Sequence, residues 1–489
     1  DAPQQDTTSS KREGPSFAKK MLDGFLKILM MVKDVSGTYS FTDGTLLPGF
    51  MPEPGFFGIN NGRGGDYSGA PGWGFVLGFQ NDNFIQNAIE NGWLSTDENF
   101  NTAYSLKHME NLRLQATVEP FRDFRIDVTM NRQYSEIKSA YMKADEFGIF
   151  PKEGYSQSLT GSFSMSTIMI GTTFKKSDKE SPFNSDTYEE MKNNRKIISA
   201  RLAAENKNWA PDPTLDTSKY YKNGYGETSQ DVLLYSFLAA YQGKDASKIN
   251  LSSPFTSFPL PNWRLNWKGL NNINFIKENF RSVALNHVYQ STYTISGFQK
   301  NLLYEGIDGH STARDQIGDY IPELSYGQVV LSEQFIPFIG IDMTLKNSLM
   351  IRVEYKKTRS LSLSFVNNQL TEQSSNEISF GTGYRISNMP NIFKSSSGRS
   401  RQETTELNLR LDVGFRTNKT VLRRLDSDID EMSQGSANFT IDFKADYRIS
   451  RMITAGLYCD YNQNNPYTAL QYKTSVTNAG ISIRLNLAQ

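Results

Sequence analysis

The last twelve residues, Asn478–Gln489, read NAGISIRLNLAQ. Ile481, Ile483, Leu485 and Leu487 fall in one phase, and Ser482, Arg484, Asn486 and Ala488 in the other. Successive side chains of a strand point to opposite faces, so this is a strand that is aliphatic on one side and wet on the other. Lipid on one side and water on the other would satisfy both faces, which is the arrangement of a transmembrane barrel wall.

The same alternation recurs upstream. ELNLRLDVGF sets Leu407, Leu409, Leu411, Val413 and Phe415 against Asn408, Arg410 and Asp412. NFTIDFKADY sets Phe439, Ile441, Phe443, Ala445 and Tyr447 against Thr440, Asp442, Lys444 and Asp446. In Asn111–Ser135 two alternating runs flank EPFRD, with Pro120 expected at the turn, where a missing N–H does no harm. Twelve such segments are expected, near 33–42, 104–119, 122–135, 157–174, 281–298, 326–345, 349–366, 376–387, 403–417, 436–447, 452–461 and 473–488, with a weaker one at 420–430. Many exceed the five or six residues common in soluble strands, and charges recur in mid-strand on the polar phase. A soluble sandwich explains neither.

Composition agrees. Aromatic residues make up 12% of the 489, while the mean hydropathy is −0.51. That pairing suits a chain in which every second residue is apolar. The 52 basic and 52 acidic side chains cancel, so no basic field points to nucleic acid. One cysteine, Cys459, excludes an intrachain disulfide. No apolar run is long enough for a helical span.

Three regions interrupt the alternation. Residues 1–32 read as a polar linker and a short amphipathic helix over 16–32. Barrel strands follow over 33–174, with a long Gly-, Pro- and aromatic-rich loop at 43–103. Residues 175–280 form a non-barrel insertion with a helix from Asp186 to Glu205 and another near 230–241. The chain returns to barrel strands over 281–489, ending in an assembly signal. The irregular blocks are expected to supply a cap, a plug contact or a gate, with Trp73, Trp263 and Trp267 anchoring them.

Catalytic chemistry is not on view. There are three histidines, and His287 lies in the apolar phase of its strand beside Tyr289. No GxSxG, HExxH or Walker loop occurs. DSDIDEMSQGSA opens like a calcium loop, but Glu431 holds the place that needs glycine and Ala437 that of the bidentate glutamate. No enzyme activity, metal or cofactor is expected. The facing residues are the candidate site: Arg410, Asp412, Asp442, Lys444, Asp446 and Arg484 toward a lumen, and Leu407, Leu409, Leu411, Phe439, Ile441, Phe443, Ile481, Ile483, Leu485 and Leu487 toward lipid.

Several blocks together resemble a family. VSGTYSFTDGTLLPGF, LQATVEPFRDFRIDVTMNRQ, TGSFSMSTIMIGTTF, DVLLYSFLAAYQGKD, FPLPNWRLNWKGL and LNHVYQSTYTISGF are similar, in order, to the C-terminal portion of the SprA/Sov proteins. These are outer-membrane translocons of the Bacteroidetes type IX secretion system. The motif residues include Pro48, Gly49, Glu119, Pro120, Phe121, Trp263, Arg264, His287 and Tyr289.

The resemblance implies an all-β transmembrane barrel segment of about 12–13 strands within a very large barrel, located in the bacterial outer membrane, through which folded cargo leaves. It further implies partners: the remainder of the translocon polypeptide, a FadL-like outer-membrane shuttle protein, a periplasmic plug protein, cargo with type IX sorting domains, and the lipid bilayer. The alternative is a self-contained porin or transporter of about 12–14 strands. An outer-membrane hydrolase and a soluble glycan- or cargo-binding module are weaker readings. The side on which block 175–280 lies depends on whether 420–430 is a strand of its own.

Overall fold

The computed structural model describes residues 30–62, 67–81, 83–97, 99–150, 157–178, 183–210, 221–389, 405–427, 429–450, 452–468 and 472–485. The expected helix over 16–32 lies outside these residues, except that Met30 and Met31 are helical and Val32 opens the first strand.

One antiparallel sheet organises the chain. Twelve strands follow one another in sequence order across it: β1 (Val32–Leu46), β2 (Ala103–Phe121), β3 (Phe124–Tyr141), β4 (Gln157–Ser166), β6 (Phe280–Lys300), β10 (Gln328–Leu345), β11 (Leu349–Ser364), β12 (Gln369–Met389), β13 (Thr405–Arg424), β14 (Asp430–Arg448), β15 (Ile453–Pro466) and β16 (Thr474–Leu485). Each corresponds to one of the twelve expected alternating segments. Two short strands join the sheet off this path, β5 (Asn262–Trp267) and β9 (Leu324–Tyr326); β7 (Gly306–Ile307) and β8 (His310–Ser311) form a separate hairpin. Among the described residues no ladder joins β1 to β16, so both outer strands keep a free edge.

Three expectations need correction. The weak segment at 420–430 is no strand of its own. It is the end of β13, a turn at 425–427, and the start of β14. Pro120 lies inside β2, at a one-residue bulge between the pairs Val118–Ile126 and Phe121–Phe124, and the turn is Arg122–Asp123. The bulge leaves the ladder locally unpaired, which is why a residue without an N–H is accepted there. Finally, FPLPNWRLNWKGL does not belong to the insertion. Its core, Asn262–Trp267, is β5, a wall strand.

β5 shows how the insertion is built. β4 pairs with Arg132–Ala140 of β3, and β5 pairs with Phe124–Thr129 of the same strand in the same direction. Both also pair with β6 on their other side. The two are therefore one strand position, interrupted after Ser166 and resumed at Asn262. Residues 167–261 leave the wall through this break. They carry two main helices, α1 (Asp186–Glu205) and α2 (Gln230–Gln242), as the periodicity predicts.

α2 is apolar all round, and Val232 to Tyr241 are buried without exception. A helix with no polar face must be enclosed on every side. Leu233, Leu234, Phe237 and Tyr241 pack on the wall residues Phe163, Tyr293, Ile295, Val329, Leu331, Leu361, Leu363 and Leu370. Tyr188 and Met191 of α1 join the same core. Gly243 ends α2 with φ +66°, and Lys244 N–H reaches back to Ala239 O at 2.8 Å. No helix among the described residues is long and apolar enough to cross a membrane.

Candidate functional site

Ladder register assigns every wall side chain to one of two faces, because the period is two. On β13 the odd residues Leu407, Leu409, Leu411, Val413 and Phe415 share a face. The pairs Leu407–Tyr447, Leu411–Phe443, Val413–Ile441 and Phe415–Phe439 carry that face onto β14. It continues through Leu457 and Tyr461 of β15 to Ile481, Ile483 and Leu485 of β16. In the other direction it includes Ile378 and Phe380 of β12, then Ile351, Val353 and Tyr355 of β11. Nine of the ten aliphatic candidates thus lie on one surface, with Leu487 outside the described residues. None of the nine is buried, and Ile481 is 77% exposed. Tyr384 and Tyr447 lie toward one margin of this band, and Tyr355, Phe415, Phe439 and Tyr461 toward the other.

The six polar candidates lie together on the opposite face. Arg410 stands across from Lys444 and Asp412 across from Asp442, with Asp446 and Arg484 in the same phase. Like charges directly opposite repel, but Arg410 has Asp442 and Asp446 on its diagonals, Lys444 has Asp412, and along β13 Arg410 Nε donates to Asp412 at 2.5 Å. Their neighbours behave alike. Arg352 pairs with Asp342 at 2.7 Å, Lys356 with Glu377 at 3.1 Å, and Arg385 with Glu406 at 2.6 Å. The face is densely charged with both signs interspersed, and several of its charges are paired. Among the described residues no group of three metal-ligating side chains occurs.

The motif residues fall on the wall. Pro48 and Gly49 make the turn after β1. Glu119 and Pro120 form the β2 bulge, and Phe121 stacks on Phe124 at 4.7 Å across the turn. Arg264 lies on the polar face of β5. Trp263 and Trp267 are wall residues, whereas Trp73 is 61% exposed and anchors no core. His287 Nδ1 donates to Phe338 O at 2.6 Å against the rings of Phe335 and Phe338, an amphipathic wall position.

Tyr289 marks the seam where the broken strand resumes. It stacks on Trp263 at 4.5 Å, is wholly buried, and opens a polar knot that alternation did not single out. Its hydroxyl accepts from Met169 N–H and donates to Glu333 Oε1 at 2.9 Å. Glu333 Oε2 accepts from Thr173 Oγ1 at 2.6 Å and from Arg359 at 3.2 Å, and Arg359 also reaches Thr172 Oγ1. A second knot ties α1 down. Arg423 binds Glu372 and Asp430, at 3.1 and 2.6 Å, beneath the Tyr188 ring, while Arg195 donates to Leu425 O. The signal was in the sequence: Glu333, Arg359 and Arg423 are charges in the apolar phase, beside Leu331, Leu361 and Val421. A charge there must be enclosed by protein and paired.

These knots fix the insertion's face. Glu333, Arg359, Leu361, Leu370, Val421 and Arg423 share the phase of the aliphatic band. The insertion therefore sits on the same face as the exposed aliphatics, farther along the same strands. It does not cover the polar face at this seat.

No family model matches this sequence, and no curated protein matches it. Among solved structures, the in-vitro-folded trimer form of OmpT, an outer-membrane protein of Vibrio cholerae, aligns with 79% of this chain and 96% of its own. The identity is 10% and the TM-score 0.19, too loose a superposition to bear on function. The fold class rests on the sheet itself: all-β, antiparallel, with the long two-faced strands of a barrel wall.

Proposed function

We propose that this chain forms part of the wall of a protein-conducting barrel in the bacterial outer membrane, of the kind its sequence resembles in the type IX secretion system. The observation that carries the reading is the open, two-faced sheet. Among the described residues its aliphatic band has nothing over it, its polar face carries both signs of charge, and both edge strands lack a partner. From Leu407 to Phe415 the band runs about 27 Å along the strand at ~3.4 Å per residue, which suits an apolar belt ~25 Å tall. Unpaired strand edges are costly to leave in lipid, so further strands must meet β1 and β16. The remainder of a larger translocon polypeptide is the partner the resemblance supplies.

Such a wall works by geometry, since diameter grows with strand number and dozens of strands admit a folded domain. A polar face on which both signs are interspersed attracts neither sign of cargo strongly. Orientation follows from turn lengths. The longest connections, 47–102 and 301–327, lie at one end with 142–156, whereas the end bearing Arg122–Asp123, Lys346–Ser348 and 449–452 has none longer than the fifteen residues of 390–404. Short turns face the periplasm in outer-membrane barrels, so the insertion lies toward the cell exterior, on the outside of the wall and above the lipid. A shuttle protein, a periplasmic plug protein and sorted cargo would be met elsewhere on the assembly.

The test is the denatured mass of the native polypeptide ending GISIRLNLAQ, with whatever accompanies it through detergent purification. A mass several times 55.3 kDa, or a second large chain travelling with it, supports the translocon wall. A lone chain of this size forming a stable pore would support the self-contained barrel instead.

A further inference from the structure

β5 and β6 are joined by residues 268–279, at the end of the wall that bears Arg122–Asp123 and Lys346–Ser348. They form a tight turn, Gly269–Asn272, and a short helix, α3 (Asn274–Asn279). Both ends of the segment are tied to neighbouring turns. Lys268 N–H donates to Asp123 O at 2.8 Å, and Lys346 N–H donates to Asn279 O at 3.2 Å. The segment therefore runs across the ends of β5 and β6, from the β2–β3 turn to the β10–β11 turn.

Burial shows which face it takes. The turn and α3 both pack on β6, and Asn271 Oδ1 accepts from Val283 N–H at 2.7 Å. Val283, in the phase of Leu285 and His287, is only 4% exposed, whereas Ser282 in the polar phase is exposed. Cover on one side alone puts the segment on the aliphatic face.

The segment nevertheless turns apolar side chains outward, with Ile273 50% and Phe275 68% exposed. At about 3.6 residues per turn, Phe275 and Ile276 fall on one side of α3, and Asn274, Lys277 and Glu278 on the other. An aromatic row borders it. Trp267 is in register with Phe124, on which the exposed Phe121 stacks. Its level follows from β6, where the insertion's seat begins at Tyr289. From Tyr289 to Phe280 is nine positions, about 31 Å along the strand at ~3.4 Å per residue. With the tilt usual in such walls, that length spans an apolar belt ~25 Å tall and little more. α3 leads into Phe280 and so stands at the margin of the belt.

We infer that residues 268–279 are an interfacial anchor. Ile273 and Phe275 enter the acyl region of the leaflet at this end of the wall, while Lys277 and Glu278 stay among headgroups and water. The occupant of this surface is the bilayer, because the segment continues the aliphatic face at the level where that face ends. The inference rests on the reading that the aliphatic face meets lipid. A partner protein seated on the same residues would bury Phe275 away from lipid.

The experiment uses the full native chain with its partners, in phosphatidylcholine nanodiscs. Ile273→Cys, Phe275→Cys, Lys277→Cys and Leu411→Cys are made singly in a Cys459→Ser background and labelled with bimane. Quenching by lipid brominated near the headgroup is compared with quenching by lipid brominated near the chain end. The labels at Ile273 and Phe275 should be quenched at least about twofold more by the shallow bromines, as for side chains ~5–10 Å deep. The label at Lys277 should be quenched severalfold less than either. The label at Leu411, in the middle of the band, is the reference and should be quenched at least as strongly by the deep bromines. If the labels at Ile273 and Phe275 escape both lipids while that at Leu411 is quenched, this inference alone fails. If the Leu411 label escapes as well, the membrane reading beneath it fails. Equal quenching at Phe275 and Lys277 would also overturn the proposal, since α3 would then have no lipid side.

Discussion

The lower and upper halves of the same strands can be compared directly. β13 is twenty residues long, about twice what a membrane-crossing strand needs. Along one phase its lower half reads Leu407, Leu409, Leu411, Val413, Phe415, and its upper half Thr417, Lys419, Val421, Arg423. Among the described residues the first row has no protein over it, and the second lies under the insertion. β11 repeats the change, from Ile351, Val353 and Tyr355 to Lys357, Arg359, Leu361 and Leu363. A face that meets lipid can be uniformly aliphatic, because nothing in lipid needs a polar partner. A face that meets another protein layer in water can include charges, provided that each is enclosed and paired. The boundary falls at the aromatic row Tyr355, Ile378, Phe415.

The largest effect is expected in the upper half. Replacing Glu333 by Leu leaves Arg359 buried without its carboxylate, at a cost of about 3–5 kcal/mol. The insertion should then lose hydrogen-exchange protection in α2. The double variant Glu333→Leu with Arg359→Leu should recover much of that loss. If the single variant is as protected as the wild type, the knot does not hold the insertion.

In the lower half the sensitive direction is reversed, since introducing a charge does the harm. Leu411→Arg should cost about 2–4 kcal/mol and deplete the assembled barrel from outer-membrane fractions. Asn408→Arg, three residues away in the polar phase, should assemble normally. Equal yields of the two would erase the distinction between the faces.

A third effect belongs to the insertion alone. Burial pushes the Asp231 carboxyl, in the first turn of α2, up to about 6. The folded state therefore holds its proton more tightly than the unfolded chain. This contribution to stability is fully present below about pH 4 and is lost as pH rises to about 6, on the order of 2–3 kcal/mol. Local opening of α2, followed by hydrogen exchange across that window, should become easier with rising pH, and Asp231→Asn should flatten the profile. An unchanged slope in the variant would assign the effect to another group.

The smallest effect is expected on the polar face. Arg352→Ala removes an exposed pair with Asp342 and should cost no more than about 1 kcal/mol in thermal stability. A larger loss would mean that these pairs brace the wall rather than balance its charge.

Alternation alone located the twelve principal strands, because Leu407–Phe415 or Ile481–Leu485 declare a face without any tertiary information. Both insertion helices were legible for the matching reason: α1 carries a helical period and α2 an apolar run too short for a span. β5 was missed. NWRLNW is six residues long, flanked by prolines and glycine, and its partners are Phe124–Thr129 and Leu285–Tyr289, far away in sequence. The polar and aliphatic candidates were assigned to opposite phases correctly as far as geometry goes, since register follows from period. What the sequence left unread was the seat of the insertion. The clue was a charge in the wrong phase, at Glu333, Arg359 and Arg423, which local patterning treats as noise.

The central claim is that one face of the lower wall meets lipid while the other meets water, and that this contrast stops where the insertion begins. It is tested most directly by spin labels placed singly from Leu407 to Lys419 in a Cys459→Ser background, in the native assembly. Collision rates with oxygen and with a water-soluble nickel chelate would be measured at each site. The account predicts oxygen-rich odd positions and nickel-rich even positions from 407 to 415, with oxygen access falling away by Lys419. Equal exposure of odd and even positions to the nickel chelate, or the same alternation continuing unbroken through Lys419, would contradict it.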